Sequence, residues 1–309
     1  MRKVIGIGET ILDIIFHNNQ PLKAVPGGST FNCMISLSRC NIPAYFISET
    51  GNDKVGGLIR NFMDANGLSS DYLIFSAERN SPISLAFLDK QQNAEYLFYK
   101  NFNEKQRNFE FPVINENDVV VFGSYFVLDP VIRDEVRSFL NYARKRKAII
   151  YYDINFRKAH AHERLKIMPS LIENLKFSDI VRCSNEDLEA LFSGENIKKI
   201  YADHIAPYCR NFIVTGGVEN IFLKTERLEK QYDVKTVSTI STVGAGDGFN
   251  AGFVFGIMKY GILRCNINKL ENEDWDKLIS LAQTFAAEVC LSLENYVSKE
   301  FAENMQKWA

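Results

Sequence analysis

Two apolar runs separated by a helix-length segment indicate the fold class: Asp118-Val-Val-Val-Phe122, then Ile132 to Arg146, then Ala148-Ile-Ile-Tyr-Tyr-Asp153. Short β-branched runs are typical of buried strands. The same alternation recurs with Lys3 to Ile7 before Phe31 to Cys40, Ala44 to Ser48 before Val55 to Ala65, and the runs Ile180 to Cys183 and Phe212 to Thr215. This pattern predicts an α/β fold, a parallel sheet with helices on both faces.

Two regions depart from the alternation, Thr10 to Val25 and Pro82 to Tyr99. In the second, two strand-like runs flank the polar segment 89–93, which predicts antiparallel hairpins. We expect these strands to form a small sheet over the carboxyl ends of the parallel strands, where it would act as a lid on a ligand crevice. The lid would consist of insertions at about 10–26 and 82–101 in a single domain spanning 1–309, because the sequence shows no linker or repeat.

The composition favours a small-molecule ligand over a polymeric or membrane partner. The chain has 36 Lys+Arg against 38 Asp+Glu, a net charge of −2, so it has no basic surplus for nucleic acid or an anionic bilayer. No apolar run reaches the ~18 residues of a membrane span. The N-terminus meets Glu9 and Asp13 before an apolar signal segment can form, and the six cysteines are scattered without a Cys-x-x-Cys pair. We therefore expect a cytoplasmic protein.

A glycine-rich segment carries the strongest functional signal: Thr242-Val-Gly244-Ala-Gly246-Asp247-Gly-Phe-Asn-Ala-Gly252, followed by an apolar run. Small residues before a helix let backbone N–H groups point into one space, where the helix N-terminus adds positive potential. Asp247 is either a capping residue or a functional carboxylate. The presence of a carboxylate in an anion site is explained if the carboxylate takes a proton from a hydroxyl that attacks the bound phosphate. The segment therefore indicates phosphoryl transfer with a general base.

Other motif interpretations are weaker. Gly246 to Ala251 matches a loose dinucleotide fingerprint, but it lies late in the chain rather than after the first strand of a βαβ unit. No P-loop or protein-kinase signature is present. The segment His160-Ala-His162-Glu163 lacks a third metal ligand and is interpreted as a loop or helix start. The aromatic and basic residues near Phe98 are assigned to the lid rather than to nucleic-acid stacking.

Taken together, the motifs resemble the ribokinase-like (PfkB) carbohydrate kinase family. The resemblance rests first on Gly244-Ala-Gly246-Asp247 and Gly27-Gly28-Ser-Thr-Phe-Asn32. It extends over nearly the whole chain through Gly8-Glu9 with Asp13, Gly51-Asn-Asp53-Lys-Val-Gly56, Asp153-Ile-Asn155-Phe-Arg157, Asn185-Glu-Asp-Leu-Glu189 and Val214-Thr215-Gly-Gly217. Within the family, the opening motif, the Asp153 to Arg157 segment and Phe98-Tyr99-Lys100 are most similar to fructokinases.

The resemblance implies a role for each matching residue. Asp247 would be the general base, and the N–H groups of Gly244, Ala245 and Gly246 would stabilise charge on the transferred phosphoryl group. Asp13, Gly28 and Asn32 would bind the sugar. Arg157 would reach either the phosphates or the sugar, because its planar guanidinium binds oxyanions.

The resemblance also implies a nucleotide side. Thr215 and Gly217 match family positions near the nucleotide, which the family takes as ATP with Mg²⁺. In the family, the acid of an Asn-x-x-Glu motif supports Mg²⁺ through waters, and the ion has no direct protein ligand. Two registers stay open here: Ser184 with Asp187 in the Glu place, or Glu186.

The expected function is an ATP-dependent kinase of a free sugar, with fructose first. Another sugar, a sugar acid or a nucleoside stays open as the acceptor, and so does a non-catalytic sugar or nucleotide sensor of the same fold. Two departures from the family pattern bear on this. Ser241 stands where the family commonly has an acid that helps a monovalent-cation site, which leaves dependence on K⁺ open, and Asn220 stands where a glycine is usual. In relatives the lid often mediates dimerisation, so a homodimer is also expected.

Overall fold

In the computed structural model of the chain, the described residues are 1–88, 94–100, 109–234 and 237–307. The described part contains a nine-stranded sheet with strand order β13-β12-β11-β10-β9-β8-β1-β4-β5 and a separate four-stranded sheet with order β3-β2-β6-β7. The strands are β1 (Val4–Ile7), β2 (Ile11–His17), β3 (Gln20–Gly27), β4 (Ala44–Gly51), β5 (Leu73–Ser76), β6 (Ile83–Leu88), β7 (Ala94–Tyr99), β8 (Val119–Gly123), β9 (Ile149–Asp153), β10 (Ile180–Ser184), β11 (Phe212–Thr215), β12 (Asn220–Lys224) and β13 (Glu229–Asp233).

Helices cover both faces of the large sheet. They are α1 (Ser29–Arg39), α2 (Lys54–Ala65), α3 (Arg133–Lys145), α4 (Arg164–Phe177), α5 (Asn185–Phe192), α6 (Ile197–Ile200), α7 (Ala245–Lys259), α8 (Asn272–Val289) and α9 (Lys299–Gln306). Alternate residues of β8 pack on opposite faces of the large sheet. Val119 and Val121 pack with α1, α7 and α8, whereas Val120 and Phe122 pack with α3 and α4. This two-sided burial explains why the strands are continuously apolar in the sequence.

Glycines let α7 approach α8 closely. A Cβ atom added at Gly252 would lie 2.5 Å from the carbonyl oxygen of Leu281, and one added at Gly248 would lie 2.8 Å from Cγ2 of Val289. Larger residues would push the two helices apart, since interiors are close-packed. The small-residue pattern of the glycine-rich segment therefore serves the packing of α7 on α8.

The four-stranded sheet, which we call the lid sheet, joins two hairpins. Strands β2 and β3 pair antiparallel, β6 and β7 pair antiparallel, and β2 and β6 join the hairpins in parallel. Because β2 follows the carboxyl end of β1 after only Gly8 to Thr10, the lid sheet begins at the edge of the large sheet where parallel strands end.

The α/β fold with a small separate sheet is confirmed, and the observed strands and helices begin and end close to the predicted ones. Strand β5 was not predicted, and neither were β12 and β13, which extend the sheet in antiparallel fashion beyond β11. The predicted turn at 89–93 lies outside the described residues, as do Phe102, Lys105 and Arg107. His160 to Glu163 lie in a 3-10 helix that leads into α4, as predicted for a helix start. Within the described ranges, no helix is long and apolar enough to cross a membrane.

Candidate active site

The glycine-rich segment forms the beginning of α7. Gly244 is the N-cap residue and has φ 81°, a left-handed conformation that favours glycine. A Cβ atom at Gly244 would lie 2.8 Å from Cα of Asn295, so the neighbouring loop also excludes a side chain. Ala245 and Gly246 follow in the first turn, whose N–H groups lack acceptors within the helix. The Ala245 N–H donates to the carbonyl of Thr242 at 3.2 Å. The turn thus places small residues at the start of α7, with the Ala245 N–H held by the Thr242 carbonyl.

Asp247 is buried in this first turn and contacts the N-terminal part of the chain. Its carboxylate accepts a hydrogen bond from Oγ of Ser29 at 2.7 Å and one from Nδ2 of Asn32 at 2.8 Å. Burial raises the pKa of Asp247 to about 7, against the opposing effect of these two hydrogen bonds. A carboxyl group that titrates near neutral pH is suited to accept a proton from a hydroxyl.

Asp13 lies on β2 and is also buried. Oγ of Ser84 on β6 donates a hydrogen bond to its carboxylate. Burial raises the pKa of Asp13 to about 6, while the Ser84 hydrogen bond and then the charge of Arg157 act to lower it. A Cβ atom at Gly27 would fall 2.3 Å from Oδ2 of Asp13, so this carboxylate fills the space that a side chain on β3 would occupy.

Gly28 and Asn32 connect the acids Asp13 and Asp247 through α1. Gly28 is the N-cap residue of α1 with φ 126°, and a Cβ atom there would lie 2.2 Å from the carbonyl oxygen of Glu9. Asn32 donates to Asp247, but its own Oδ1 is buried and accepts no hydrogen bond from the described residues. A buried oxygen without a donor is costly, so this atom is a natural acceptor for a hydroxyl of a bound molecule.

The sequence analysis missed Arg182, a buried cation beneath the start of α7. Its guanidinium donates to Oδ1 of Asp153 at 3.0 Å and to Oγ1 of Thr215 at 2.5 Å. Nη2 and Nη1 of Arg182 would lie 3.0 and 3.1 Å from a Cβ atom at Gly246. Burial alone would lower the pKa of Arg182, but the negative groups around it, Asp153 first, raise it above its ordinary value. A charged residue inside the apolar strand β10 was the available signal.

Asp153, the partner of Arg182, belongs to a larger buried network. Nδ2 of Asn250 donates to Oδ2 of Asp153 at 2.8 Å, and the hydroxyl of Tyr151 donates to Oδ1 of Asn250 at 2.8 Å. Asn250 lies on α7, one turn after the predicted base. The network therefore ties α7 to the carboxyl ends of β9 and β10.

Arg157 follows β9, and Glu186 and Asp187 follow β10, so all three lie beyond the carboxyl ends of two neighbouring strands. Oδ1 of Asp187 accepts the backbone N–H groups of Phe156 and Arg157 at 2.8 and 3.3 Å, while Oδ2 accepts the N–H and Oγ of Ser184. Asp187 is thus a buried capping residue that fixes the backbone before Arg157. Glu186 is exposed in the first turn of α5. Arg157 is exposed with φ 57°, and its charge acts on both Asp13 and Asp247.

Thr215 and Gly217 follow β11. Thr215 contacts the guanidinium of Arg182, which places it near the start of α7. Gly217 has φ 65° in the exposed turn before β12, and the position that a Cβ atom would take there is open. At Gly216 the corresponding position lies against Asn185. The structure therefore brings Thr215 to the predicted anion site and leaves Gly217 at its rim.

A cavity of about 100 Å³ lies between the lid sheet and the large sheet. Its lining includes Glu9, Lys100, Tyr125 and His160. Glu9 and Lys100 form an ion pair at 2.6 Å, and both charges act on Asp13. The buried acids Asp13 and Asp247 and the turn of small residues form a candidate active site; the cavity adjoins it through Glu9 and Lys100, although neither acid lines the cavity.

Residues 1–300 match the model of the pfkB family carbohydrate kinases. The chain belongs to this family of sugar kinases. Probable fructokinase-5 of Arabidopsis thaliana is 23% identical to it over 288 residues, which are 87% of this chain and 86% of the relative.

The structure is also similar to solved structures of other kinases. A double mutant of the Vibrio cholerae O395 fructokinase, in fructose, ADP and potassium ion bound form, has a TM-score of 0.84 and 16% identity over 99% of this chain and 98% of that chain. Aminoimidazole riboside kinase from Salmonella enterica, complexed with aminoimidazole riboside and an ATP analog, has a TM-score of 0.79 and 19% identity over 99% of both chains. At these identities the structural likeness establishes the fold and leaves the acceptor of this pfkB kinase open.

Proposed function

We propose that this pfkB kinase transfers the γ-phosphoryl group of ATP to a hydroxyl of a monosaccharide, with fructose as the first acceptor. The observation that carries the proposal is the position of Asp247, a buried carboxylate next to the small-residue turn at the start of α7. The relatives named for fructose phosphorylation support the choice of acceptor.

In the proposed mechanism, Asp247 removes the proton from the acceptor hydroxyl. The hydroxyl oxygen then forms a bond to the γ-phosphorus, and the bond from that phosphorus to the leaving ADP oxygen breaks. Ser29 and Asn32 hold the Asp247 carboxylate in place. Asp13, Gly28 and Asn32 bind the sugar, because the carboxylate of Asp13 and the free Oδ1 of Asn32 accept hydroxyl hydrogen bonds, and Gly28 allows the Glu9 backbone to pass close to the start of α1.

The phosphoryl group is proposed to be stabilised at the N-terminus of α7. The N–H groups of Gly244, Ala245 and Gly246 would stabilise charge that develops during transfer, and the positive charge of Arg157, which acts on Asp13 and Asp247, would add to this effect. Arg182 contributes positive potential from below Gly246 while being held by Asp153 and Thr215. Thr215 and Gly217 line the nucleotide side.

Mg²⁺ fits this site as an ion carried by the nucleotide. In the described part of the chain, no group of three potential ligand side chains could hold a metal ion. Asp187 is occupied by hydrogen bonds to protein groups, so the exposed Glu186 is the acid available for contacts through water. When bound, Mg²⁺ would neutralise charge on the phosphates, as it does with few protein ligands in other phosphoryl-transfer enzymes.

The lid sheet is proposed to close over the sugar and to carry a homodimer contact. Closure excludes water, which would otherwise accept the phosphoryl group. The exposed Leu22, Leu97 and Tyr99 on this sheet support a contact with a second copy. Hydrogen exchange in β6 and β7 with and without sugar would detect closure, and light scattering would detect the dimer.

A nucleoside-like acceptor is the second candidate. It is supported by aminoimidazole riboside kinase, which has a similar fold. A third candidate, a non-catalytic sensor, is supported only by the departures at Ser241 and Asn220.

The experiment that tests the proposal measures ADP release with ATP and Mg²⁺ against fructose, ribose, 2-keto-3-deoxygluconate and nucleosides. We expect turnover with a neutral sugar and a loss of about 10²- to 10⁴-fold in kcat for Asp247→Asn, with sugar affinity retained, since general bases contribute about this much. Unchanged turnover in Asp247→Asn would remove the proposed base. Binding without turnover of any acceptor would favour the sensor.

A further inference from the structure

A second, smaller cavity lies beside Asp13, between the lid sheet and two loops near the start of α7. Its volume is about 10 Å³, which is room for about one water molecule or one hydroxyl group. The lid sheet contributes residues of β2 and β6 to its lining, and the loops before α7 and after α8 contribute the rest: Asp13, Ile15, Ala86, Leu88, Ser241, Val243, Leu293 and Asn295. The cavity therefore brings the Asp13 carboxylate next to a loop that the proposed mechanism does not use.

Asn295, in the loop after α8, presents an unused amide to this cavity. The residue is only 4% exposed, yet its side chain makes no hydrogen bond within the part of the chain that the structure describes. The other polar loop residue of the lining is occupied, because Oγ of Ser241 accepts the N–H of Val243 at 3.1 Å. A buried amide without partners costs free energy, so the Asn295 side chain is available to a bound group.

The Asn295 amide and the Asp13 carboxylate border the same point. A Cβ atom added at Gly27 would lie 2.3 Å from Oδ2 of Asp13 and 3.7 Å from Nδ2 of Asn295. The two atoms are therefore within about 6 Å of each other, which is about the span of two hydrogen bonds that share one oxygen atom. Ser84 occupies one acceptor position of the Asp13 carboxylate, and the others stay available. One hydroxyl group that donates to Asp13 and accepts from Asn295 would give both side chains a partner.

The position of Asn295 is fixed by the residues that follow it rather than by its own side chain. Tyr296 is 1% exposed, and the guanidinium carbon of Arg39 lies 4.6 Å from the centre of its ring. Nη1 of Arg39 donates to the carbonyl of Val297 at 2.6 Å, and the N–H of Val297 donates to Oγ of Ser36 at 3.3 Å. These contacts anchor the loop to α1, so the amide is held in place before any ligand binds.

We propose that Asn295 is a further acceptor-binding residue, whose amide and the Asp13 carboxylate together bind one hydroxyl of the sugar. This inference rests on the proposed sugar-kinase function. Asp247 does not line the small cavity, so the hydroxyl bound there is a different one from the hydroxyl that is phosphorylated. Because the lining includes the apolar Ile15 and Ala86, an acceptor without that hydroxyl leaves two buried polar groups unpaired and binds more weakly.

The test measures the affinities of fructose and of its 1-, 3- and 4-deoxy analogues by calorimetry without nucleotide, and kcat and KM with ATP and Mg²⁺. The variants are Asn295→Ala and Asn295→Leu, which both remove the amide, the second while filling a similar space. The matched control is Asn211→Ala. Asn211 is also buried, but its Nδ2 donates to the carbonyl of Asp179 at 2.9 Å and to Oδ1 of Asn268 at 2.8 Å. Urea unfolding reports the free energy of unfolding of each variant.

We expect wild type to prefer fructose strongly over one of the three analogues. In both Asn295 variants this preference should fall about tenfold, the equivalent of about 1.4 kcal/mol, while the preferences over the other two analogues stay unchanged. The free energy of unfolding and the KM for ATP of Asn295→Ala should stay near those of wild type, since no hydrogen bond within the protein is lost. Asn211→Ala should lower the free energy of unfolding and leave all three preferences unchanged.

Unchanged preferences over all three analogues in both Asn295 variants, with or without a general loss of affinity, would overturn the inference. If fructose is still phosphorylated in that case, the proposed function stands without it. A preference that depends on Asn295, measured by binding without turnover, would contradict only the proposed catalysis. Absence of fructose binding by the wild type would overturn both.

Discussion

The two ends of the site are built differently. At the phosphoryl end, the start of α7 rests on buried groups, with Arg182, Asp153 and Asn250 joined by hydrogen bonds and Asp247 held by two more. At the acceptor end, the ion pair between Glu9 and Lys100 has side chains 26% and 20% exposed. A buried network resists substitution because removing one member leaves another unpaired. A partly exposed pair can change at smaller cost in stability.

This difference indicates how one fold can combine fixed chemistry with variable specificity. The proposed transfer machinery depends on α7, whose position is fixed by its close packing against α8. In the proposed function, acceptor selection depends on a few side chains of the lid sheet and of the loops beside it. Substitutions at the two ends should therefore have effects of different size and kind.

The largest effect is expected for Arg182. Arg182→Met leaves the Asp153 carboxylate buried without its cation, so we expect a loss of about 3 to 5 kcal/mol in the free energy of unfolding, measured in urea. We also expect kcat to fall by about 10²-fold or more with a smaller change in the KM for sugar. Arg182→Lys retains the charge and should recover part of both losses.

Arg210→Met provides the control for Arg182, because Arg210 pairs with Glu226 at the surface. We expect it to cost less than about 1 kcal/mol and to leave kcat unchanged. Equal effects of Arg182→Met and Arg210→Met on the free energy of unfolding and on kcat would contradict the proposed contrast between the buried and the exposed parts of the molecule.

Sequence patterns predicted the local features of this site and missed the long-range ones. The turn at Gly244 and the acid at Asp247 can be predicted from the sequence because small residues and a helix start lie within a few positions of each other. Ser84 and Asp13 are 71 positions apart, and Ser29 and Asp247 are 218 apart, so only the tertiary fold shows that they meet. The charge matching of Glu9 with Lys100 was missed for the same reason, as was the position of Arg182 beneath Gly246.

The pH dependence of activity should separate the two buried acids. Burial raises the pKa of Asp247 to about 7 and that of Asp13 to about 6. If Asp247 acts as a base only when ionised, kcat/KM should fall about tenfold per unit as pH drops below about 7, and more steeply below about 6 as Asp13 is also protonated. The measurement is a pH profile of kcat/KM under saturating ATP. A flat profile between pH 5 and 8 would contradict both assignments.

The same shifts predict an opposite trend in stability. Because both carboxyl groups have raised pKa values in the folded state, the folded protein binds more protons than the unfolded chain between about pH 4 and 7, and stability falls as pH rises through this range. Asp247→Asn removes one of these groups, so its stability relative to wild type should increase between pH 5 and 8. At about 1.4 kcal/mol per pKa unit the gain is a few kcal/mol at most. Urea unfolding at each pH measures it, and a constant difference would contradict the shift.

The smallest effect is expected for potassium. It tests whether the rim of the phosphoryl end, like its buried centre, is held by hydrogen bonds within the protein and needs no bound cation. The neighbouring fructokinase structure contains a potassium ion. Here Oγ of Ser241 accepts the N–H of Val243 at 3.1 Å, and the N–H groups of Ile240 and Ser241 donate to the carbonyl of Cys290 at 2.8 and 3.4 Å. A loop held by its own donors, with a hydroxyl in place of a carboxylate, is a poor fit for a monovalent cation. We therefore expect equal kcat in potassium and tetramethylammonium salts at matched ionic strength, and a response to potassium in Ser241→Asp, which restores the missing carboxylate. Activation of the wild type by potassium alone would show that this loop requires a cation despite its hydrogen bonds.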